Sequence, residues 1–597
     1  MTRTPLRPLA RILDARAKGE NPDLIERENL RQRHEVMRDK AIGRARFRLG
    51  ILSVSFTVAF AAIGLRMGYM SSETPMEPKS EAGASSIQAM RSDIVDREGR
   101  ILATNMLTNS LYVQTADMVD PPRVAHELAA LFPELSEEDL LRRFTDGRSF
   151  LWIRKMLSPE QQQAVHDIGD PGLLFGPREM RLYPNGNLAA HILGGASFGD
   201  EGVASAELIG VAGIEKALDL RLRDPAQAGV PLELTIDLTL QATMEEVLGA
   251  GMTMMQAKGA AGILMNVQTG EILAMASLPD FDPNDRPSPI VAKGADPADS
   301  PLFNRAVQGV YELGSTFKIC AAAQAMELGL VNPDTQIDTS SLQIGKKRIT
   351  EFDGHNYGPT KSVAEIMEVS SNIGTGHIAL MIGAERQQAF LTSLGLLEAS
   401  PVELIEAPGA KPLRPARWPD IVTVTASFGH GISSSPLNLA AAYASVANGG
   451  IRVSPTLLKR TEAMKGIRVI SPSVSRDAVD MLRRVVVSGT ATLADVPGYR
   501  VGGKTGTADK PRPGGGYYTD RVVNTFAGVF PTDNPQYVLI VTMDEPSGTS
   551  GGGEVRSTAG WTAVPVAGEM IKRMAPLMGM VPVVETPPEN EITAVKN

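Results

Sequence analysis

A single cysteine, Cys320, stands in a chain of 597 residues, so no intramolecular disulfide can form. That leaves the compartment open, because many exported proteins carry none. There is no CxxC pair, which excludes a zinc ribbon. The seven histidines are scattered and none lies in an HExxH helix, which argues against a metallohydrolase. Positive charge is also scarce, the net being −9. Residues 1–48 hold 13 Lys/Arg against 7 Asp/Glu, a net of +6, and the rest of the chain carries −15. An acidic body argues against nucleic acid as the main partner, since phosphate neutralisation needs clustered cations. Internal repeats and low-complexity composition are missing too. What remains is a globular chain long enough for two or three domains.

One long apolar run breaks this pattern. From Leu49 to Leu65 no residue is charged. Seventeen helical residues span about 25 Å, slightly short of a bilayer core. Met67 to Met70 extend the apolar reach and Arg66 can snorkel. Arg38, Lys40, Arg44, Arg46 and Arg48 stand immediately before the run, the positive-inside pattern for a cytoplasmic N-terminus. A leader of this length is not a typical cleavable signal, so an uncleaved anchor over 49–70 is expected after a cytoplasmic basic tail, 1–48. Everything beyond about Met70 is then expected to face the periplasm or cell exterior.

Residues 71–90, rich in Ser, Glu, Gly and Pro, read as a linker. Ordered sequence resumes at Arg91 with a strand, a turn at Glu98-Gly99 and a second strand. Helical spacing follows over 121–132 and again over 136–144. A second domain is expected to open near Pro231 with a strand and an amphipathic helix. Strand-like runs at 261–266 and 271–277 precede a long helical middle, and strands return from about Arg500 to Met543. The pattern predicts an α+β domain over 231–580 whose sheet is assembled from both ends of its sequence. Trp561 to Met574 reads as a closing helix, and 581–597 as a disordered tail.

Three short motifs sit within that domain. Ser315-Thr316-Phe317-Lys318 follows Gly314 where a helix begins, so residues three apart share a face and the Lys318 amine can approach the Ser315 hydroxyl. The helix is otherwise apolar, and burial lowers a lysine's pKa until the neutral amine can act as a base. Ser370-Ser371-Asn372, on a turn between helices, can offer a hydroxyl to relay a proton and an amide to hold a peptide group. Lys504-Thr505-Gly506-Thr507, on an edge strand, offers a cation, two hydroxyls suited to a carboxylate, and a glycine for close approach. Each alone reads equally as a capping serine, a polar turn or a solvated hairpin arm, and Ser-x-x-Lys is expected about once by chance in a chain this long. Their joint order changes that, being the pattern of the penicillin-recognising serine enzymes.

With these motifs the chain resembles the class B penicillin-binding proteins, and within them the FtsI-type septal peptidoglycan D,D-transpeptidases. The likeness runs from about Arg91 to Met574 through DIVDREGRILATN, RLYPNGNLAAHILG, GVAGIEKALD, NVQTGEILAMASLPDFDPN, NRAVQGVYELGSTFK and SFGHGISSSPLNLAAAYASVANGG. It implies an α+β transpeptidase domain of the penicillin-binding protein and serine β-lactamase type, with an antiparallel sheet between helices plus a helical subdomain. An elongated pedestal of the dimerisation type, over 91–230, and one transmembrane helix would precede it. It also implies Ser315 as nucleophile, Lys318 as base, Ser370 as relay helped by Lys504, and Asn372 orienting the substrate amide. Thr505, Gly506 and Thr507 would take the substrate carboxylate, and the backbone N–H groups of Ser315 and Thr507 would form an oxyanion hole. Implied partners are stem peptides ending in D-Ala-D-Ala, β-lactam antibiotics, the inner membrane, a SEDS-type (FtsW-like) glycosyltransferase and other division proteins. No metal or organic cofactor is implied.

Competing readings share the triplets. A β-lactamase or carboxypeptidase would use water as acceptor, an elongation-type transpeptidase would act elsewhere in the wall, and a sensor or division scaffold would carry a silent site. Gly548 to Gly552 matches a nucleophile-elbow pattern but has no helix signal following at once, so it reads as a loop. His430, in FGHG, reads as a turn residue or one that supports the site from behind rather than a base.

Overall fold

The computed structural model describes residues 7–72, 91–198, 208–289, 296–460, 466–512, 514–547 and 557–583. It divides into two units, Met1–Ile87 and Gln88–Asn597. In the first, the basic approach and the apolar run form one uninterrupted helix, α1 (Pro22–Ser72, 51 residues). Among the described residues it is the one helix long and apolar enough to cross a membrane, its apolar window having a mean hydropathy of 1.8. From residue 73 the expected linker lies outside the described residues, as do the expected tail from residue 584 and the Gly548 to Gly552 loop.

The second unit opens with β1 (Ile94–Val95) and the long β2 (Ile101–Gln114), joined by a turn in which Gly99 takes φ +80°. Asp96 holds that turn, accepting from the backbone N–H of Glu98 and Arg100. β2 pairs antiparallel with β3 (Phe150–Leu157) and with β4 (Leu173–Leu182). β1 also pairs parallel with β5 (Leu232–Glu233), so the strand beside the expected boundary at Pro231 is hydrogen-bonded back to the start of the preceding domain. Buried ions reinforce the junction. Arg91 Nε donates to Glu215 Oε2 at 2.6 Å and Arg181 Nε to Glu215 Oε1 at 2.7 Å, with Glu215 fully enclosed. Removing one member of such a cluster strands a buried charge and typically costs about 3–5 kcal/mol. A small separate core built on Leu111, Val124, Leu128 and Phe132 fills the far end of this domain.

The larger domain is built on five antiparallel strands in the order β8-β9-β10-β6-β7. β6 (Gly259–Asn266) and β7 (Ile272–Leu278) come from its start, and β8 (Gly502–Pro511), β9 (Tyr517–Phe530) and β10 (Tyr537–Asp544) from its end. β7 is buried at every position, and β6 and β10 at all but one. They read as continuous apolar runs rather than alternating ones because helices cover both faces. α2 (Leu238–Met254) and the C-terminal helix Ala563–Leu577 pack together on the sheet, while Pro436–Ala447, buried along its whole length, packs on β6, β9 and β10. β8 is left at the edge, facing a group of helices contributed by the middle of the chain. Those helices and β8 bound the cleft.

Candidate active site

Ser315 lies in a 3₁₀ turn, Gly314–Phe317, that leads directly into α3 (Lys318–Glu327). In 3₁₀ geometry residues i and i+3 eclipse, which sets Ser315 and Lys318 in line more closely than an α-helical start does. The turn is pressed against β8. Gly314 takes φ +56°, and a Cβ there would stand 2.8 Å from Thr507 O, while one on Gly506 would stand 2.2 Å from Leu313 O. Only glycine allows the two backbones to approach this closely. Ser315 is half-buried, and its Oγ makes no hydrogen bond among the described residues.

The second motif turns between α4 (Val363–Val369) and α5 (Asn372–Ile382). Ser370 caps α4 in the left-handed region, φ +62°, uncommon for a residue with a Cβ and a form of local strain found at functional sites. Ser371 caps α5, accepting from Gly374 N. This reversal aims Ser370 and Asn372 at Lys318. Lys318 Nζ donates to Ser370 O at 2.5 Å and to Asn372 Oδ1 at 2.8 Å, and stands 3.1 Å from Ser370 Oγ. From β8, Lys504 Nζ reaches the same Ser370 Oγ at 2.9 Å. One hydroxyl thus bridges two lysines, both fully buried.

Burial sets their chemistry. It holds Lys318 well below the ordinary lysine value, the Lys504 charge pushes it further down, and Glu351 partly offsets both. Burial brings Lys504 down to about 7. Two amines sharing one hydroxyl resist ionising together, which favours states of the pair with a single proton. With that proton on Lys504, Ser370 Oγ accepts from Lys504 and donates to the lone pair of Lys318.

On β8, Thr505 Oγ1 lies 2.7 Å from Thr490 Oγ1, and Thr507 Oγ1 accepts from Ala559 N at 3.0 Å. Among the described residues the Thr507 hydroxyl donates to no acceptor. Ser315, Lys318, Ser370, Asn372, Lys504, Thr505, Gly506 and Thr507 lie on three segments that meet beside β8, where Lys318, Ser370, Asn372 and Lys504 are joined by direct hydrogen bonds.

Sequence reasoning missed two residues here. Thr490 stands among small polar residues after a helix, with nothing local to single it out. Glu351 carries more. Buried, its carboxylate accepts from Ser371 Oγ at 2.5 Å, Asn372 N at 2.6 Å and Ile373 N at 3.3 Å. It therefore fixes the start of α5, and with it the Asn372 side chain, while its charge supports protonation of Lys318. No local pattern connects residue 351 to residue 371. Glu351→Gln is expected to lower the acylation rate at neutral pH about 10–100-fold, the scale of a lost charged hydrogen bond. It should also move the acid limb of the rate profile to lower pH, because the amine loses a stabilising anion. An unmoved limb would reduce Glu351 to a structural cap.

With the geometry in place, comparison with known proteins is informative. Residues 260–561 match the penicillin-binding protein transpeptidase domain, and residues 86–227 the penicillin-binding protein dimerisation domain. The chain is 35% identical over 570 residues to a probable peptidoglycan D,D-transpeptidase FtsI of Caulobacter vibrioides, covering 92% of each. It is 32% identical over 535 residues to a probable peptidoglycan D,D-transpeptidase PenA of Neisseria gonorrhoeae, covering 84% of this chain and 88% of that one. A crystal structure of penicillin-binding protein 3 from Mycobacterium tuberculosis, complexed with aztreonam, superposes with a TM-score of 0.62 at 26% identity, covering 83% of this chain and 98% of that one. The chain belongs to the penicillin-binding protein family, with a transpeptidase domain that follows a dimerisation domain.

Proposed function

We propose that this protein is a peptidoglycan D,D-transpeptidase that cross-links stem peptides through an acyl-enzyme on Ser315, and that β-lactams acylate the same hydroxyl. The observation that carries this reading is the Lys318–Ser370–Lys504 chain beside the Ser315 turn. Neutral Lys318 takes the Ser315 proton as Oγ bonds to the carbonyl carbon of the penultimate D-alanine. The contact from base to nucleophile tightens as substrate binds, as is common for catalytic hydrogen bonds. Backbone N–H groups of Ser315 and Thr507 stabilise the oxyanion. Its collapse breaks the C–N bond, and Ser370, oriented by Lys504, passes the proton from Lys318 to the departing D-alanine. Asn372 orients the substrate amide, and Thr505 and Thr507 hold the terminal carboxylate where Gly506 lets it come close. An amine of a second stem then attacks the ester, forms the new amide and returns the proton to Ser315, completing a two-step cycle. These steps use side chains and backbone alone and call on no metal or organic cofactor.

In this reading residues 1–48 are cytoplasmic, 49–70 anchor the chain in the inner membrane, 91–230 form the pedestal and 231–580 the catalytic domain on the outer side. The basic approach before the apolar run supports that orientation. Relatives named FtsI support a place in division; the SEDS-type glycosyltransferase partner rests on the family resemblance alone. The protein given a D-Ala-D-Ala donor and an amine acceptor is expected to release D-alanine and yield the joined peptide. Release with hydrolysed donor as the only product would favour the carboxypeptidase reading.

A further inference from the structure

At one end of the cleft lies a polar cluster that the acylation steps leave unused. Glu312, three residues before Ser315, is 8% exposed, and its Oε2 stands 3.1 Å from His430 Nδ1. Tyr517 OH donates to the other carboxylate oxygen at 3.0 Å. The His430 and Tyr517 rings stack with centroids 4.7 Å apart and planes 27° from parallel. His430 is 43% exposed, so the cluster presents a face to solvent while its carboxylate stays covered. It adjoins the nucleophile, because a Cβ on Gly429 would stand 2.2 Å from Gly314 O.

The direction of the substrate places this cluster on its path. β8 pairs with β9 and has its other edge toward the cleft. An extended peptide with its scissile carbonyl by Ser315 and Thr507 and its carboxylate by Thr505 runs antiparallel to β8. Residues preceding the two D-alanines then advance along β8 from Thr507 toward Pro511, by about 3.4 Å each. Tyr517 is the ladder partner of Pro511. The side chain of the residue before D-Ala-D-Ala is thereby carried toward the His430–Tyr517 face.

The charge there selects a cation. Among the described residues Glu312 Oε2 accepts no hydrogen bond, so the covered carboxylate keeps an unused acceptor beside the half-exposed His430 ring. Burial, Glu312 and Asp509 together push the Tyr517 phenol upward, so it remains a donor to Glu312 and adds no charge. The positive groups of the same hairpin are engaged elsewhere, Lys510 with Asp544 and Glu545, and Arg512 and Arg521 over the Tyr518 ring. Exposed Asp509 adds a second negative charge. Cross-linking requires an amine on the acceptor stem, and a donor stem of the same composition carries that amine as an ammonium.

We propose that Glu312, His430 and Tyr517 form a donor-side subsite that recognises a cationic side chain on the residue preceding D-Ala-D-Ala. This rests on the reading of Ser315 as nucleophile. The test uses the full chain and two depsipeptide donors, Nα-acetyl-lysyl-D-alanyl-D-lactate with its side-chain amine free or acetylated, followed by release of D-lactate. Wild type should prefer the free amine about tenfold in kcat/KM, the scale of one charge-assisted hydrogen bond. His430→Ala and Glu312→Gln should each bring the ratio near one. An undiminished ratio in both variants, an equal loss with both donors, or a wild-type ratio near one with normal acylation of Ser315 would overturn the subsite. Should one variant fail to fold, the other and the wild-type ratio decide. Wild-type protein acylated by neither donor nor by benzylpenicillin would instead remove the nucleophile, and the subsite with it.

Discussion

Ser315→Ala should gain no mass on treatment with benzylpenicillin, whereas the wild-type chain gains one penicilloyl group on Ser315 that persists for many minutes. Two other nucleophiles stand near the site, and both are disfavoured. Ser370 Oγ is already committed to Lys318 and Lys504, and its hydroxyl is the bridge by which protons move. Cys320, two residues beyond Lys318, is buried, and burial pushes its thiol up to about 12, so it stays protonated and unreactive. An adduct on Ser370, Cys320 or any other residue of the variant, read by intact mass and peptide mapping, would defeat the assignment. Release of the wild-type adduct within seconds would favour a β-lactamase. The same variant separates the cellular roles. As sole copy, Ser315→Ala is expected to leave cells filamentous. Rounded or bulging cells would favour elongation, and normal division a scaffold with a silent site.

Why the site could be read from one sequence, and where that reading stopped, follows from which interactions are local. Ser315 and Lys318 lie within one turn, Ser370 and Asn372 within one helix reversal, and Lys504 to Thr507 on one strand. Spacing alone therefore constrains each group, and their order suggested a common cleft. The strands from both ends of the larger domain were visible because helices cover both faces of the sheet, leaving nearly unbroken apolar runs such as 260–265. Partnerships across long separations have no such trace. Glu351 acts on a residue twenty positions away, and Thr490 meets Thr505 only because a helix end packs beside the edge strand. The parallel pairing of Ile94 with Leu232 joins segments that look like separate domains. His430 read as a turn residue because a histidine between two glycines signals only the turn. Its meeting with Glu312 depends on how that turn stacks against the nucleophile's own. At the N-terminus, charge ended the expected anchor at its edges, whereas the helix continues through the basic approach because arginine and lysine are good helix formers.

Lys318→Met should lower the rate of Ser315 acylation by about 10³–10⁴-fold, the range for loss of a positioned general base with its relay. Methionine keeps the length and removes the base. In wild type, acylation rises with pH as the depressed Lys318 loses its proton, and falls again as Lys504, near 7, loses the charge that orients Ser370. Both limbs belong to the coupled pair, and the variant should lack the acid limb altogether. Fold stability separates chemistry from collapse. The substitution relieves a buried amine but leaves Ser370 O and Asn372 Oδ1 without their donor, opposing effects of about 1–3 kcal/mol each. Tm is therefore expected within about 5 °C of wild type. The sign of its pH dependence is also set. A lysine whose folded pKa lies below its unfolded value costs stability most in acid, where the unfolded chain keeps the proton freely. The cost fades as pH rises through the unfolded value of 10.5. The variant should compare best with wild type in acidic buffer and lose that advantage in alkaline buffer. A deficit of the variant that is largest in acid and shrinks as pH rises would mean that Lys318 is buried as a charged, paired group, and the neutral-base mechanism would then fail even if the variant were inactive.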